Sequence, residues 1–456
     1  MKSYDIVIVG GGIAGFSAAK RAGERGASVA LLEKERLGGQ WLFNGRFAVR
    51  ALIQQMAMFP NDLALAEALG HRGIGDLDAN QFLVEARNKA RRFSDHWKTV
   101  LERKNVTLIR GSGRPAGSGL VKVEFSGEEE IIRAEKVIIA SGSQTKEISS
   151  MPFDGQRVLS GDDLLRCDYL PEHLLLLGGQ AEGCELATTL RWLGRKVFIC
   201  EAEDRILTAH DKDLTGLMEE ELRRNKIKLL LQKSIISINK KRDKIDLSLD
   251  GGVRFSVDGI WVCKERIPCI KSFGDTEIRI GEYGEILVNE KMQTSVDGIF
   301  AIGSVIRRSR NSLLSQEEAR VAVDNALGKE KTLNRNRIPH HIQTISELVS
   351  VGCFAEDSHH RGFGRGVEGV CEWRVISGLD SPLGLIKVVI DSSNRQFIGC
   401  HLMAPGAGTI LPVLISALRK KWVVTDLSQF SNSFEAVFQA VGESARLASQ
   451  LVKSCK

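Results

Sequence analysis

The chain has 456 residues, 43% of them hydrophobic and 26% charged, with a formal net charge of +6 and a pI near 8.8. That length predicts about three domains, and the absence of any run of 18 apolar residues argues against a membrane-spanning helix. Lys and Arg are spread along the whole chain, including the helical stretch Arg87 to Arg103, with no basic stripe interleaved with aromatics, so the charge reads as solvated surface and not as a nucleic-acid interface. The first strand begins at residue 4, which leads us to expect no signal or transit peptide and a cytoplasmic protein. Nine cysteines (Cys167, Cys184, Cys200, Cys263, Cys269, Cys353, Cys371, Cys400, Cys455) are odd in number and hold no CxxC pair. They predict reduced, mostly buried thiols in place of a disulfide framework or a zinc site.

Taken in order, Tyr4 to Val9 is an apolar strand, Gly10-Gly11-Gly12-Ile13-Ala14-Gly15 a turn, the following stretch a helix to about Gly26, and the next strand ends at Glu33, with Lys34 after it as a further cofactor-binding candidate. The spacing of Gly10, Gly12 and Gly15 gives a tight turn, a close backbone approach to a pyrophosphate and close helix-to-strand packing. The helix N-terminus then faces the phosphates, with Ile13 and Ala14 in its first turn. Glu33 stands at the strand end, where a carboxylate accepts hydrogen bonds from the ribose.

Next comes Gly38-Gly39-Gln40-Trp41-Leu42-Phe43-Asn44-Gly45-Arg46, leading to Arg50, Ala51 and Leu52. Together with the first turn, this segment resembles that of the flavin disulfide reductases: dihydrolipoamide dehydrogenase, mercuric reductase and the soluble transhydrogenase. In that family a Gly-Gly-x-Cys-x4-Cys segment opens a long helix against the flavin and a Pro-Ser-Lys follows. The glycines and leucines keep register, but the cysteine positions hold Trp41 and Arg46, and the lysine position holds Arg50. Disulfide exchange needs a thiolate and a second sulfur, so this segment is not expected to reduce a disulfide. Trp41 either shields or stacks on the isoalloxazine or packs in the core. Arg46 either meets an anionic partner or substrate or is solvated.

Residues 54 to 105 read as two helices and 106 to 139 as short strands with turns at Gly111-Ser112-Gly113 and Gly117-Ser118-Gly119. Ala140-Ser141-Gly142-Ser143 resembles the family's Ala-Thr-Gly-Ser crossing, where small residues let the backbone approach the cofactor. A second nucleotide turn follows at Gly178-Gly179-Gln180-Ala181-Glu182-Gly183, with a helix to Gly194 and a strand from Lys196 to Glu201. Gln180 stands where the fingerprint has its middle glycine, and overpacking of this kind costs roughly 1–3 kcal/mol. Glu201 suits a ribose 2′-hydroxyl, which favours NAD over NADP. Glu185 matches the family acid that pairs with the lysine beside the flavin, here Arg50; the alternative is a carboxylate on the helix surface.

The stretch from Val262 to Pro268 resembles the family's Gly-Arg-x-Pro turn, and Thr294 to Ser304 resembles the segment whose terminal Gly-Asp holds the FAD ribityl chain. Gly303 is kept and the aspartate has become Ser304, trading a charge-assisted hydrogen bond of roughly 1.5–3 kcal/mol for a weaker one. Ser346 to Gly352 and Phe397 to Leu402 match strands of the family's dimerisation domain. The family's C-terminal His-Pro-Thr-x-x-Glu aligns with Phe434 to Gln439, so the base and its orienting carboxylate are replaced by Phe434 and Gln439. Glu435 reads as helix surface, and His340, His341, His359 and His360 as surface loop residues without metal spacing.

The resemblance implies an α/β fold with two Rossmann-like domains, for FAD and NAD(P), and an α+β C-terminal dimerisation domain. The boundaries expected are 1–147 and 267–335 for the two FAD segments, 148–266 for the NAD(P)-like domain and 336–456 for the dimerisation domain. The cofactors implied are FAD and, with NAD favoured, a nicotinamide nucleotide; the partners are a second copy of the chain and either a small electron acceptor or a protein. Three functions fit: an NAD(P)H oxidoreductase working straight from the flavin, a redox-silent FAD-binding dimer, and a flavoenzyme whose anionic substrate is held by Arg46.

Overall fold

The computed structural model describes the whole chain apart from residues 44, 46, 48–50, 52–78, 118, 274–275, 308–310, 373–383 and 455–456. Arg46, Arg50, Cys455 and most of the first expected helix between 54 and 105 therefore lie outside the described residues. The chain divides into two units, one made of Met1–Ala48, Asp78–Leu170 and Val262–Leu333, the other of Val49–Leu77, Pro171–Trp261 and Asn334–Lys456.

In the first unit β1 (Ser3–Val9) is followed by α1 (Ile13–Glu24), β2 (Val29–Glu33), the long helix α2 (Ala79–Glu102), β3 (Val106–Arg110), β4 (Ser112–Pro115), β5 (Leu120–Phe125) and β6 (Glu128–Ile139). The strands stand in the order β3-β2-β1-β6-β5-β4, and the strand Ile299–Ala301 also pairs with β6. Parallel pairing joins β1 to β2, β2 to β3 and β1 to β6, with Val9 opposite Ile139. β6 is long enough to serve two neighbours on its far edge. Its first half pairs antiparallel with β5 and its last residues pair parallel with Ile299–Ala301. Ile6, Val7 and Ile8 are fully buried, as expected of a parallel strand covered on both faces. The small residues Ala14, Ala18, Ala19 and Ala22 are the buried face of α1, and Arg21 bridges from it to the buried Asp324 of the helix Ser312–Ala326 at 2.8 Å. Gly10 and the crossing that starts at Ala140 follow the C-terminal ends of adjacent strands β1 and β6, where open α/β sheets bind ligands.

Two expectations are corrected here. Arg87 is not a solvated charge: its guanidinium donates to the backbone carbonyl of Leu165 at 2.8 Å and to that of Cys167, whereas Arg91, Arg92, Lys98 and Arg103 are exposed. Gly113, expected in a turn, lies inside β4, where a side chain would meet Leu32.

In the second unit β7 (His173–Leu177), α3 (Ala181–Trp192), β8 (Lys196–Cys200), α4 (Lys212–Arg224) and β9 (Lys228–Leu230) repeat the pattern, with β7, β8 and β9 parallel. An antiparallel meander follows over Ile235–Lys240, Ile245–Leu249 and Arg254–Val257. The C-terminal part is a five-stranded antiparallel sheet in the order His340–Ile342, Glu347–Gly352, Phe397–Ala404, Leu385–Asp391, Gly366–Glu372. Its apolar face packs on helices Leu411–Lys420 and Ala436–Ser454 around Val388, Leu402, Leu414 and Val441. His340 and His341 belong to a strand and not a loop, while His359 and His360 sit exposed on a single turn. The eight described cysteines are thiols outside any disulfide, and all but Cys269 are buried. Among the described residues no helix is long and apolar enough to cross a membrane, and no cluster of His, Cys, Asp and Glu could hold a metal.

Candidate functional site

Three glycines of the first turn do three different jobs. Gly10 has φ +105°, and a Cβ there would lie 2.4 Å from the Ala140 carbonyl oxygen. At Gly15 a Cβ would come within 1.8 Å of the Gly10 oxygen, so the start of α1 is pressed against the end of β1. Gly12 is different, since its φ of −68° and ψ of −173° suit any residue and a Cβ there meets nothing within 4 Å. The space beside Gly12 is left open by the protein. Gly12 is also the N-cap of α1 and brings no side chain to it, so the N–H groups of the first turn are presented to whatever fills that space.

Glu33 accepts the Gly11 N–H at 2.7 Å through Oε2 and the Glu35 N–H at 2.9 Å through Oε1. It clasps the turn from below. Burial raises its carboxyl above the ordinary range while those two N–H bonds pull it down. Four lone-pair positions on two oxygens leave acceptor capacity beyond the clasp.

The crossing and the returning segment meet at the same place. Ser141 donates its hydroxyl to the Cys269 carbonyl at 2.8 Å, and the Cys269 N–H donates to Gly142 at 2.9 Å. Gly142 and Gly303 both have left-handed backbones, with φ +81° and +80°. A Cβ on Gly142 would stand 3.9 Å from the Ser304 hydroxyl, and one on Gly303 would stand 2.9 Å from Ala14 Cβ. Gly303 donates its N–H to the fully buried Glu318 at 2.8 Å, and Glu318 pairs with Arg307. Ala14, Ala140, Ser141, Gly142, Gly303 and Ser304 thus form one small-residue wall next to Gly10. Ile13 is half-buried at the head of α1 and Lys34 is exposed; burial pushes the Cys269 thiol up, against the opposing pull of Lys34 and Arg266.

The short helix Gly39–Phe43 is fastened to the turn backbone to backbone. Gly38 bridges Gly12, its N–H reaches the Gly11 carbonyl at 2.8 Å, and Gly39 would carry a Cβ 3.2 Å from Gly12 Cα. Gln40 accepts from Arg266 at 2.7 Å. Arg266 is buried, pairs with Asp162 at 2.8 Å and also donates to Ser143 and Thr145. Trp41 stacks on Trp97 at 5.6 Å and 12°, and Trp97 on Phe16 of α1 at 3.9 Å and 11°. The packing role weighed for Trp41 is therefore present in the structure.

The second turn reproduces the first. Gly178 has φ +113°, and Glu201 accepts the Gly179 N–H at 2.7 Å, 22 residues away, as Glu33 does for Gly11 at the same separation. Gln180 caps α3 with φ −83° and ψ −179°, close to the backbone of Gly12, and Gly183 is buried in the first turn of that helix. The Gln180 amide donates to Thr208 Oγ1 at 3.3 Å. Glu185 is 1% exposed and accepts the Gln343 N–H at 3.1 Å, which overturns the surface reading.

Other groups carried no role in the sequence reading. Asp162 with Arg266 and Glu221 on Ser346 are buried polar contacts between residues far apart in the chain, and Glu318 with Arg307 is one between residues 11 positions apart. Glu221 and Glu318 stand among other charged residues of their helices, Glu219 and Glu220 in one and Glu317 and Arg320 in the other, so no local pattern singled them out. At the aligned C-terminal segment Phe434 is fully exposed, Glu435 is exposed and Gln439 is half-buried.

A family model described as pyridine nucleotide-disulphide oxidoreductase matches residues 4–326. The chain is 29% identical to a dihydrolipoyl dehydrogenase of Thermus scotoductus, with 94% of this chain and 93% of that protein covered. It is 26% identical to a dihydrolipoyl dehydrogenase of Vibrio parahaemolyticus, with 97% and 95% covered. In fold it matches LpdA from Mycobacterium tuberculosis with a TM-score of 0.87 at 20% identity, covering 98% of this chain and 99% of that one.

Proposed function

This chain belongs to the pyridine nucleotide-disulphide oxidoreductase family, and from that membership we propose an FAD-dependent oxidoreductase that passes electrons between NAD(P)H and a small acceptor straight from the flavin. The observation that carries the reading is the repeated turn: each unit has an open helix N-terminus whose preceding amide is clasped by an acid at the next strand end. A site built twice in this way suits two dinucleotides. The first fits FAD, because the space beside Gly12 is unfilled and left-handed glycines at Gly142 and Gly303 bring bare backbone to the same wall.

Gly10, Gly12, Ile13, Ala14 and Gly15 would hold the pyrophosphate, Glu33 and Lys34 the adenosine end, and Gly38, Gly39, Gln40, Ala140, Ser141, Gly142, Gly303 and Ser304 the remainder. Bound FAD would supply a two-electron carrier between nicotinamide and acceptor. Gly178, Gln180, Gly183 and Glu201 would hold the nicotinamide nucleotide, with Glu201 favouring NAD through the ribose 2′-hydroxyl. Trp41 and Arg46 occupy the positions of the family's redox cysteines, and no two cysteines of the chain have the Cys-x4-Cys spacing, which supports chemistry without a disulfide. Glu185, with Arg50 at the position of the family's lysine, and a homodimer built through the C-terminal domain complete the reading.

Gln180 supports a second reading, a redox-silent FAD-binding dimer. One experiment separates the two. The purified protein is expected to be yellow, and anaerobic NADH is expected to bleach the flavin; FAD uptake with reduction by dithionite but by neither NADH nor NADPH selects the silent dimer. A protein that takes up no FAD on titration overturns both.

A further inference from the structure

We infer that Arg266 is a positioning residue for FAD: its buried guanidinium ties the segment carrying Gln40 to the crossing that starts at Ala140, and so sets the spacing of two segments that line the site. The inference rests on the proposal that the first turn holds FAD. Arg266 opens the short strand Arg266–Pro268, which pairs antiparallel with Ser143–Thr145. Its side chain is 7% exposed, and all three guanidinium nitrogens are engaged. Nε donates to the Ser143 hydroxyl at 3.0 Å and Nη1 to Thr145 Oγ1 at 3.1 Å. Nη2 lies within hydrogen-bond distance of Gln40 Oε1 at 2.7 Å, the Ser143 carbonyl at 2.7 Å and Asp162 at 2.8 Å. Arginine only donates, so the Gln40 amide must turn its oxygen toward it, and the planar fork fixes these acceptors together. They are held in turn: Ser160 donates to Thr145 at 2.8 Å and accepts the Asp162 N–H at 3.0 Å.

Each end of the tie sits one residue from bare backbone of the site. Gln40 follows Gly39, where a Cβ would lie 3.2 Å from Gly12 Cα, and Ser143 follows Gly142, where one would stand 3.9 Å from the Ser304 hydroxyl. The start of the crossing is fixed to β1 by the Ala140 N–H on the Val9 carbonyl at 2.8 Å, and the segment before Gln40 is fixed to the turn by the Gly38 N–H on the Gly11 carbonyl. Gln40 itself lies in a helix of five residues, too short to hold its place by helix propensity. Among the described residues no hydrogen bond joins Gln40 directly to the crossing, and Arg266 makes the link. The ion pair with Asp162 balances the charge, while the bonds to Gln40 and Ser143 carry the geometry to the site. Segments held at one spacing before the cofactor arrives need less ordering when it binds.

The test uses the full chain stripped of flavin, titrated with FAD and, separately, unfolded in urea without it. Arg266→Lys keeps a cation for Asp162 but cannot span Gln40 and Ser143 together; it is expected to raise the FAD dissociation constant between about 3-fold and 30-fold, the range of one hydrogen bond. Gln40→Met cuts the same tie from its other end and is expected to give a similar rise. The two together are expected to stay within about 2-fold of the larger single change, because one tie is broken only once. A role confined to the fold would lower urea stability in Arg266→Lys and leave the FAD affinity of the folded protein as it was. Unchanged FAD affinity in either single variant, or two rises that multiply in the double variant, overturns the inference while the flavoprotein reading stands. If Arg266→Lys does not fold, Gln40→Glu decides beside Gln40→Met, since it keeps an acceptor for Arg266 and loses the amide N–H groups. A smaller loss of FAD affinity in Gln40→Glu than in Gln40→Met supports the tie, and an equal or greater loss overturns it. Parent protein that takes up no FAD overturns the functional reading itself, a distinct result.

Discussion

Gln180 donates its side-chain amide to the Thr208 hydroxyl at 3.3 Å, and the backbone beneath it is extended enough for any residue. The glutamine thus imposes no strain on the fold, and its effect falls on the ligand. Gln180→Gly is expected to tighten NADH binding by about one to two decades, the equivalent of roughly 1–3 kcal/mol of relieved crowding. It is expected to lower stability slightly, by about 0.5–1 kcal/mol, through the greater freedom of glycine in the unfolded chain. Titration with NADH and a thermal melt read the two effects separately. An unchanged NADH affinity would show that the bond to Thr208 already holds the amide clear of the nucleotide.

Asp162 and Arg266 form a buried ion pair whose guanidinium also holds Gln40, Ser143 and Thr145. Removing one charge takes the counter-charge from the other while it stays desolvated, so Asp162→Ala is expected to cost roughly 3–5 kcal/mol in denaturant unfolding. Replacing Arg266 by Met, which takes the guanidinium away from buried Asp162, is expected to cost a similar amount. The pair of substitutions together is expected to cost less than the sum of the two, which a double-mutant cycle checks.

The FAD-type turn was legible because it depends on local rules: three glycines at fixed spacing, an apolar strand before them and an acid at the next strand end. The role of Glu33 within the chain was not, since its clasp on Gly11 is set by the pairing of β1 with β2. Glu185 shows the same limit, because a helix pattern does not reveal that the Gln343 amide comes to cover one carboxylate. Trp41 was open between stacking on a flavin and packing in the core. The structure adds its stack on Trp97, 56 positions later, and no local pattern couples the two.

Ser304 sits at the wall shared by Gly142 and Gly303. Ser304→Asp is expected to tighten FAD by about one to two decades, the difference between a neutral and a charge-assisted hydrogen bond. The neighbouring amide of Gly303 is already held by buried Glu318, whose charge is balanced by Arg307. A second carboxylate therefore works against the gain in the FAD-free protein, and a lower melting temperature without FAD together with a higher one at saturating FAD is the expected pattern. Melts with and without FAD check it.

Glu221 gives a pH dependence of unusual sign. It is 6% exposed, its two oxygens accept the Ser346 N–H at 3.2 and 3.1 Å, and burial pushes its carboxyl up to about 7 from an ordinary 4.5. Below pH 4.5 the group is protonated both folded and unfolded and contributes nothing. Between about 4.5 and 7 the unfolded chain releases the proton while the folded one keeps it, so stability falls as pH rises, and above 7 the loss is complete. Two histidines act in the opposite direction across part of that window: burial lowers His210 and His401 to about 4, so their contribution is present above 6.5 and lost as pH falls. The raw stability curve mixes the two, but Glu221→Gln keeps an acceptor for Ser346 and removes only the carboxyl titration. Relative to the parent, the variant is expected to gain roughly 3 kcal/mol between pH 4 and pH 8, most of it between pH 5 and 7. Urea unfolding of both proteins across that range measures the difference, and a gap that stays constant with pH would show that Glu221 titrates at its ordinary value.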